Sequence, residues 1–133
     1  MKYKTTVIET QWKEKPPPTA LLVFVELIDR YRQGLDGNEI TITEYISTSR
    51  NTPSYHPLGR AVDIRTRDMT EDILMKILTA MHSFEGLINK DLLRFREDIQ
   101  VVEHRELWGK PQAHIHIELD NRKPDIPEGY KRG

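Results

Sequence analysis

The sequence predicts a small α+β fold, and three observations lead to that prediction. The length of 133 residues suits one domain with one core. Two stretches carry apolar residues at helical spacing, and several short stretches alternate apolar with polar residues. The short stretches are not joined by regular helical crossovers, which favours antiparallel over parallel pairing. We therefore expect residues 1–133 to form a single domain, in which a small, mainly antiparallel sheet is flanked by two helices.

The two predicted helices are recognised by their apolar stripes and by residues suited to their ends. The first is expected from Thr19 to about Gln33, with Thr19 as its cap and a glycine directly after it. The second begins at Thr70, where two acidic residues in the first turn favour the positive end of the helix dipole. Residues 86–98 stay open between a loop and a loop with a short helix around 92–95.

Strands are expected where β-branched and other apolar residues alternate with polar ones. The predicted strands are residues 40–46, 61–64, 99–102 and 113–119. Residues 5–8 are either a short edge strand or a loose segment. Three consecutive prolines, Pro16–Pro18, form a stiff connector at the end of an N-terminal extension, residues 1–18. The tail, residues 120–133, contains prolines and glycines and is expected to be irregular.

The composition excludes several classes of protein. A net charge of −1, from 20 basic and 21 acidic residues, gives no argument for binding to nucleic acid or to a membrane surface. The chain has no cysteine, which excludes a disulfide framework and any thiolate metal site. The N-terminus lacks the apolar run of a signal peptide, and the longest apolar run, Ala20–Val25, is too short to span a membrane. We expect a monomer without nucleic-acid or membrane partners.

Three histidines and one aspartate form a candidate metal site. His114 and His116 lie on one face of their predicted strand because side chains alternate along a strand. Asp63 lies on the corresponding face of its own strand, and antiparallel pairing of the two strands would bring it beside both histidines. His56 would reach them from the preceding loop. Imidazole and carboxylate suit zinc better than magnesium or calcium, so we expect one zinc ion, held by His56, Asp63 and one of the paired histidines.

The residues around this site match a known pattern. Residues 54–63 read Ser-x-His-x-x-Gly-x-Ala-x-Asp, and residues 114–116 supply a later His-x-His. This combination resembles the zinc D-alanyl-D-alanine carboxypeptidases and L-Ala-D-Glu endopeptidases, including their phage-endolysin members, which share a hedgehog/DD-peptidase-like fold. The matching region spans roughly residues 46–118, over half of the chain. The resemblance implies that fold, and it implies cleavage of peptide bonds next to D-amino acids in bacterial cell-wall peptides.

The resemblance also implies roles for individual residues. It implies zinc ligands at His56, Asp63 and His116. It places Arg50, within Thr-Ser-Arg ahead of the motif, where it would steady the substrate carbonyl or the developing oxyanion. It implies that Arg50 and Ser54 contact the substrate. The mechanism it implies is metal-assisted hydrolysis, in which a base takes a proton from the attacking water.

The general base is the point at which this chain departs from the family pattern. Many members place an acidic residue one to three positions before the last histidine ligand or its partner, whereas residues 111–113 are Pro-Gln-Ala. The nearest acids upstream are Glu106 and Glu103, and Glu103 would reach the groove if the segment after it is an excursion between paired strands. Some branches of the family instead place the first histidine of His-x-His, here His114, near the reacting group, where it would act as the base. We take Glu103 and His114 as the candidate bases, with Glu106 left open.

The predicted function is zinc-dependent hydrolysis of a peptide bond in peptidoglycan peptides. Its alternatives are a non-catalytic binding module that keeps the metal site as a scaffold, and a virion structural or assembly protein. The missing acid beside His114 favours the binding module, and the proline-rich segments could serve assembly. Without a signal peptide, the enzyme would act in the cytoplasm, or would be phage-encoded and delivered to the wall by another factor. His82 and His104 are interpreted as structural or solvated.

Overall fold

The protein is described by a computed structural model, in which residues 1–47, 55–110 and 112–121 are described. That part of the chain contains three α-helices and a five-stranded mixed sheet. The helices are α1 (Thr6–Glu14), α2 (Thr19–Asp36) and α3 (Glu71–Leu92). The strands are β1 (Lys2–Tyr3), β2 (Thr41–Glu44), β3 (Ala61–Arg65), β4 (Glu97–Val102) and β5 (His114–Asn121). Short 3-10 turns occupy His56–Leu58, Leu93–Phe95 and Arg105–Leu107.

The strand order in the sheet is β1-β2-β3-β5-β4. β1 runs parallel to β2, and the remaining neighbours are antiparallel. The α+β class and the mainly antiparallel sheet are therefore confirmed, whereas the count of two flanking helices is wrong. None of the described helices is both long and apolar enough to cross a membrane.

The additional helix, α1, lies where the sequence suggested an edge strand or a loose segment at residues 5–8. The side chain of Thr5 caps it by accepting a hydrogen bond from the amide of Ile8 at 3.2 Å. Ile8 and Trp12, one helical turn apart, are its buried residues. With only two buried residues, the apolar stripe of this short helix is too sparse to stand out from a strand pattern. The edge strand lies earlier, at Lys2–Tyr3.

Both longer helices extend beyond the predicted ends. α2 passes through Gly34, where a side chain would meet open space, and ends at Gly37, whose φ of 78° suits a left-handed C-cap. α3 begins after Thr70 as predicted, and it continues through residues 86–92, which the sequence left open. Asn89 near its end donates to the carbonyl oxygen of Ile99 at 3.0 Å and accepts from its amide at 2.7 Å. The end of α3 is thereby attached to β4.

The two faces of the sheet differ in chemistry. Val62 and Ile64 of β3, with Ile115 and Ile117 of β5, belong to a buried apolar cluster that includes residues of α2 and α3. The alternate positions of both strands are polar or small, and they lie on the opposite face. Burial of one face thus fixes the register that brings the polar side chains together on the other.

Candidate metal centre

The candidate site is built on three alternate rungs between β3 and β5, which face the same side of the sheet. Asp63 pairs with His116, and Arg65 pairs with His114. On the third rung, Ala61 pairs with Glu118. The predicted antiparallel pairing of these strands is confirmed, and it places an aspartate, two histidines, an arginine and a glutamate on one face of the sheet.

His56 enters the site from the short 3-10 turn before β3. Gly59 closes this turn with a φ of 68° and donates from its amide to the carbonyl oxygen of His56 at 3.0 Å. A Cβ atom at position 59 would lie 3.3 Å from the hydroxyl oxygen of Tyr45, so glycine suits the position in both conformation and space. The turn thereby directs the His56 ring, which is fully buried, toward β3.

A backbone contact fixes which nitrogen of His56 faces the cluster. Its Nδ1 lies 2.7 Å from the carbonyl oxygen of Tyr45, and because a carbonyl only accepts, Nδ1 must carry the proton. In the neutral ring, which is the form that binds a metal ion, the lone pair is on Nε2, and this atom lies 3.3 Å from Oδ1 of Asp63. Such a backbone contact is the usual way in which a metal-ligating histidine is oriented.

His56, Asp63 and His116 offer ligand atoms that all lie within 4.8 Å of one another, and all three residues are buried. Ligands about 2.0–2.1 Å from a tetrahedral zinc ion are roughly 3.4 Å apart. The 3.3 Å between His56 and Asp63 matches that spacing, and the 2.8 Å between Nδ1 of His116 and Oδ1 of Asp63 is shorter by about half an ångström. The donor set and its spacing therefore fit a metal ion, with small movements of His116.

Glu118 is a residue of this site that the sequence interpretation did not identify. Its Oε1 lies 2.8 Å from Nε2 of His116, and both side chains are fully buried. A proton on Nε2 shared with this carboxylate leaves Nδ1 of His116 as the donor atom toward a metal. The signal was present in the sequence, because residues two apart share a strand face and Glu118 follows His116 at that spacing.

The carboxylates and His116 shift one another's acidity. Burial by itself raises the pKa of the Asp63 carboxyl, but hydrogen bonds from His116 and His56 outweigh it and hold that pKa well below its usual range. Burial lowers the pKa of His116, but its contacts with Asp63 and Glu118 outweigh burial and raise the pKa to about 9. A cation is therefore strongly favoured between these two carboxylates, and a metal ion would take the place of the proton on Nδ1.

His114 lies beside the cluster. Its Nδ1 is 2.9 Å from the carbonyl oxygen of Gln112 and therefore carries a proton. Its Nε2 is buried, has no hydrogen-bond partner among the described residues, and lies 3.7 Å from Oδ2 of Asp63. In the neutral form of the ring, Nε2 is an acceptor that faces the cluster and can take up a proton there.

The other predicted catalytic and substrate-binding residues are not brought to the cluster by described contacts. The carboxylate of Glu103 pairs with His82 at 2.9 Å and with Arg105 at 2.7 Å. Burial raises the pKa of Glu103, but these two partners outweigh it and lower that pKa. Arg50 and Ser54 lie outside the described residues, as does the side chain of Glu106. The roles inferred for these four residues remain predictions.

Two further residues, neither of them predicted as part of the site, approach the cluster. Glu44 pairs with Asp63 across β2 and β3, and its Oε2 lies 4.0 Å from Nε2 of His56. His104, interpreted from the sequence as structural or solvated, has its ring 4.8 Å from that of His114. Its backbone adopts a left-handed conformation with φ of 50°, which is uncommon for a residue other than glycine. An isolated histidine in a loop gives no sequence signal for such a placement.

One cavity adjoins the cluster, and a second cavity lies beside the first. The smaller, of about 250 Å³, is lined by Asp63 and His114 together with basic residues of β3 and the loop after it. The larger, of about 640 Å³, is lined by Trp108 and by residues at the start of α3. Arg67 and Ala113 line both cavities, so the larger cavity lies next to the smaller one.

Comparison of the chain with protein-family models, with curated proteins and with solved structures found no match. Function must therefore be argued from the residues of the site themselves.

Proposed function

We propose that the protein is a zinc-dependent peptidase that hydrolyses a peptide bond in bacterial cell-wall peptides. The observation that carries this proposal is the buried group of His56, Asp63 and His116 beside an open groove. Two neutral imidazoles and one carboxylate are a donor set typical of catalytic zinc, which keeps a further position for water or substrate. When bound, the ion supplies a Lewis acid that polarises a carbonyl and lowers the pKa of water toward neutrality.

The residues of the chain would perform the remaining steps. The backbone carbonyl of Tyr45 and the carboxylate of Glu118 hold the rings of His56 and His116 in their tautomers. His114 presents a buried acceptor nitrogen toward Asp63, which favours it over Glu103 as the group that receives a proton from the attacking water. Arg50 would stabilise the developing oxyanion, as the motif resemblance implies.

The choice of substrate rests on the motif at residues 54–63 and on the two neighbouring cavities. The motif resembles that of peptidases which act next to D-amino acids in peptidoglycan. A peptide is supported by the cavity next to the one at the cluster, which is lined by Trp108. The indole nitrogen of Trp108 donates to the carbonyl oxygen of Glu103 at 3.2 Å. An indole held in this way offers a fixed apolar wall for an extended substrate. The hedgehog/DD-peptidase-like arrangement of the fold is part of the same proposal.

Hydrolysis is tested by the release of amines from purified peptidoglycan. We expect release by the zinc-loaded protein, loss of release after chelation, and recovery when zinc is restored. His56→Ala should abolish release because it removes a ligand, whereas His82→Ala, at an exposed histidine on α3, should retain it. Equal release by wild type and His56→Ala would contradict the proposal.

The binding module remains the second candidate, because Glu103, the acidic base that the sequence predicts, forms ion pairs with His82 and Arg105 instead of contacting the cluster. Two variants separate the candidates. If the protein is a peptidase with His114 as base, His114→Gln should lower kcat by about 10²–10⁴-fold with zinc retained, and Glu103→Gln should change kcat little. Zinc binding without hydrolysis of any wall peptide would favour the binding module.

A further inference from the structure

The smaller cavity beside the cluster contains three basic side chains. Lys4 follows β1, Arg65 is the last residue of β3, and Arg67 lies two residues further along the chain. Lys4 and Arg67 are exposed, and Arg65 is half-buried. We call this cavity, which also includes Glu44 and Asp63 in its lining, the cationic groove.

These three cations have no carboxylate partner among the described residues, in contrast to two arginines elsewhere in the fold. Arg32 pairs with Asp68 at 3.2 Å, and Arg60 pairs with Glu97 at 2.7 Å. No ion pair of Lys4, Arg65 or Arg67 occurs among residues 1–47, 55–110 and 112–121.

The acids in the groove are engaged with the histidine cluster. Asp63 contacts His116 and His56, and Glu44 approaches His56 at 4.0 Å. A divalent metal ion at the cluster would offset both negative charges. The groove then presents three positive charges on one side of the metal site, which favours an anionic group of the substrate.

The position of Arg65 relates this anion to the reacting bond. Arg65 follows Asp63 by two residues on the same strand face, and it pairs with His114. Two strand residues span about 7 Å, which is also the span of about two residues of an extended peptide. An anion held by Arg65 would therefore lie one or two residues from a peptide bond presented to the cluster.

We propose that the cationic groove binds a carboxylate of the substrate, one or two residues from the scissile bond, and thereby selects acidic wall peptides. A volume of about 250 Å³ suits the end or one acidic residue of a peptide, since sites for larger ligands have roughly 300–1,000 Å³. The planar guanidinium groups of Arg65 and Arg67 match a carboxylate, which they can hold through two hydrogen bonds. The position relative to the reacting bond rests on the proposed function, whereas the charge selectivity does not.

The test uses the zinc-loaded full chain and three synthetic peptides. One is the wall pentapeptide L-Ala-D-Glu-L-Lys-D-Ala-D-Ala with free carboxylates. The second has its C-terminus amidated, and the third has only its D-glutamate carboxylate amidated. Calorimetry should show that one of the two amides binds at least tenfold more weakly than the free acid. The amide with the weaker binding identifies whether the groove takes the C-terminal or the D-glutamate carboxylate.

Arg65→Gln and Arg67→Gln should each reduce this preference to less than threefold and raise KM more than they lower kcat. Arg30→Gln, which removes the same charge from the exposed side of α2, should preserve the preference. Because Arg67 is exposed, Arg67→Gln should fold normally and can serve as the test even if Arg65→Gln does not fold. Equal binding of all three peptides to wild type, or a preference unchanged in both variants, would overturn the groove's role even if zinc-dependent hydrolysis is found. Charge-selective binding without hydrolysis would support the groove and contradict the peptidase.

Discussion

At the scale of single residues, the site depends on two buried groups that fix the histidine rings. The carbonyl of Tyr45 holds Nδ1 of His56, and Glu118 holds Nε2 of His116. Removal of such an outer partner usually weakens metal binding because the ring loses its orientation and basicity. Glu118 therefore contributes to the proposed metal site without contacting the ion.

Glu118→Gln tests this role. The amide oxygen can still accept from His116, but the negative charge beside the ring is lost, so we expect zinc affinity to fall by about 10–100-fold. Affinity can be measured by competition with a chromophoric chelator. Glu26→Gln, at an exposed position of α2, is the matched control and should leave affinity unchanged. Wild-type affinity in Glu118→Gln would show that this carboxylate has no part in the site.

At the scale of secondary-structure elements, strand alternation in the sequence was sufficient to predict β3, β5 and their pairing. The alternation of isoleucines with histidines in residues 114–117 is strong because one face is fully buried and the other is polar. The same reasoning does not predict α1, because only two of its residues are buried. It also did not place His104, because the left-handed backbone that brings its ring to His114 depends on tertiary contacts.

The 3-10 turn at His56–Leu58 depends on Gly59, and substitution there tests the turn. Gly59→Ala would combine a φ of 68° with a Cβ contact of 3.3 Å to Tyr45, so we expect a loss of about 2 kcal/mol in the free energy of unfolding. Gly37→Ala has a φ of 78° but open space around the new methyl group. Urea unfolding should show a smaller loss of about 1 kcal/mol for that control. Equal losses would indicate that the contact with Tyr45 does not matter.

At the scale of the whole molecule, the α+β class follows from the sequence, whereas the electrostatics of the site do not. Nothing in the sequence indicates that the predicted ligands are buried, although burial is what makes them interact strongly. The sequence also does not indicate that Lys4, in the segment after β1, lines the cationic groove. The parallel pairing of β1 with β2 likewise joins segments about forty residues apart and has no local pattern. These features arise from packing of distant segments.

The raised pKa of His116 predicts a pH dependence for protein freed of metal by chelation. His116 has a pKa of about 9 against an ordinary value of 6.5, so its stabilising contribution is complete below pH 6.5 and is lost as the pH rises through about 9. We expect the free energy of unfolding to fall by up to roughly 3 kcal/mol across this window. The depressed pKa of Asp63 acts in the opposite range, where stability is lost as the pH falls below its ordinary value of 3.8.

Urea unfolding of the metal-free protein at several pH values between 6 and 9.5 measures this change. His116→Gln should flatten the dependence, whereas His82→Gln should not. The comparison is needed because the N-terminal ammonium of Met1 also makes stability fall as the pH rises. Burial lowers the pKa of this ammonium, but hydrogen bonding with Glu39 outweighs burial and raises it. A dependence as steep in His116→Gln as in wild type would contradict the assignment to His116.

The central claim is that His56, Asp63 and His116 bind one zinc ion. Native mass spectrometry of the purified chain with added zinc tests it most directly, because it counts bound ions without requiring a substrate. We predict one zinc ion per chain in wild type and in the His82→Ala control, and none in His56→Ala or His116→Ala at the same zinc concentration. Wild-type protein without zinc, or ligand variants that retain one ion per chain, would contradict the claim.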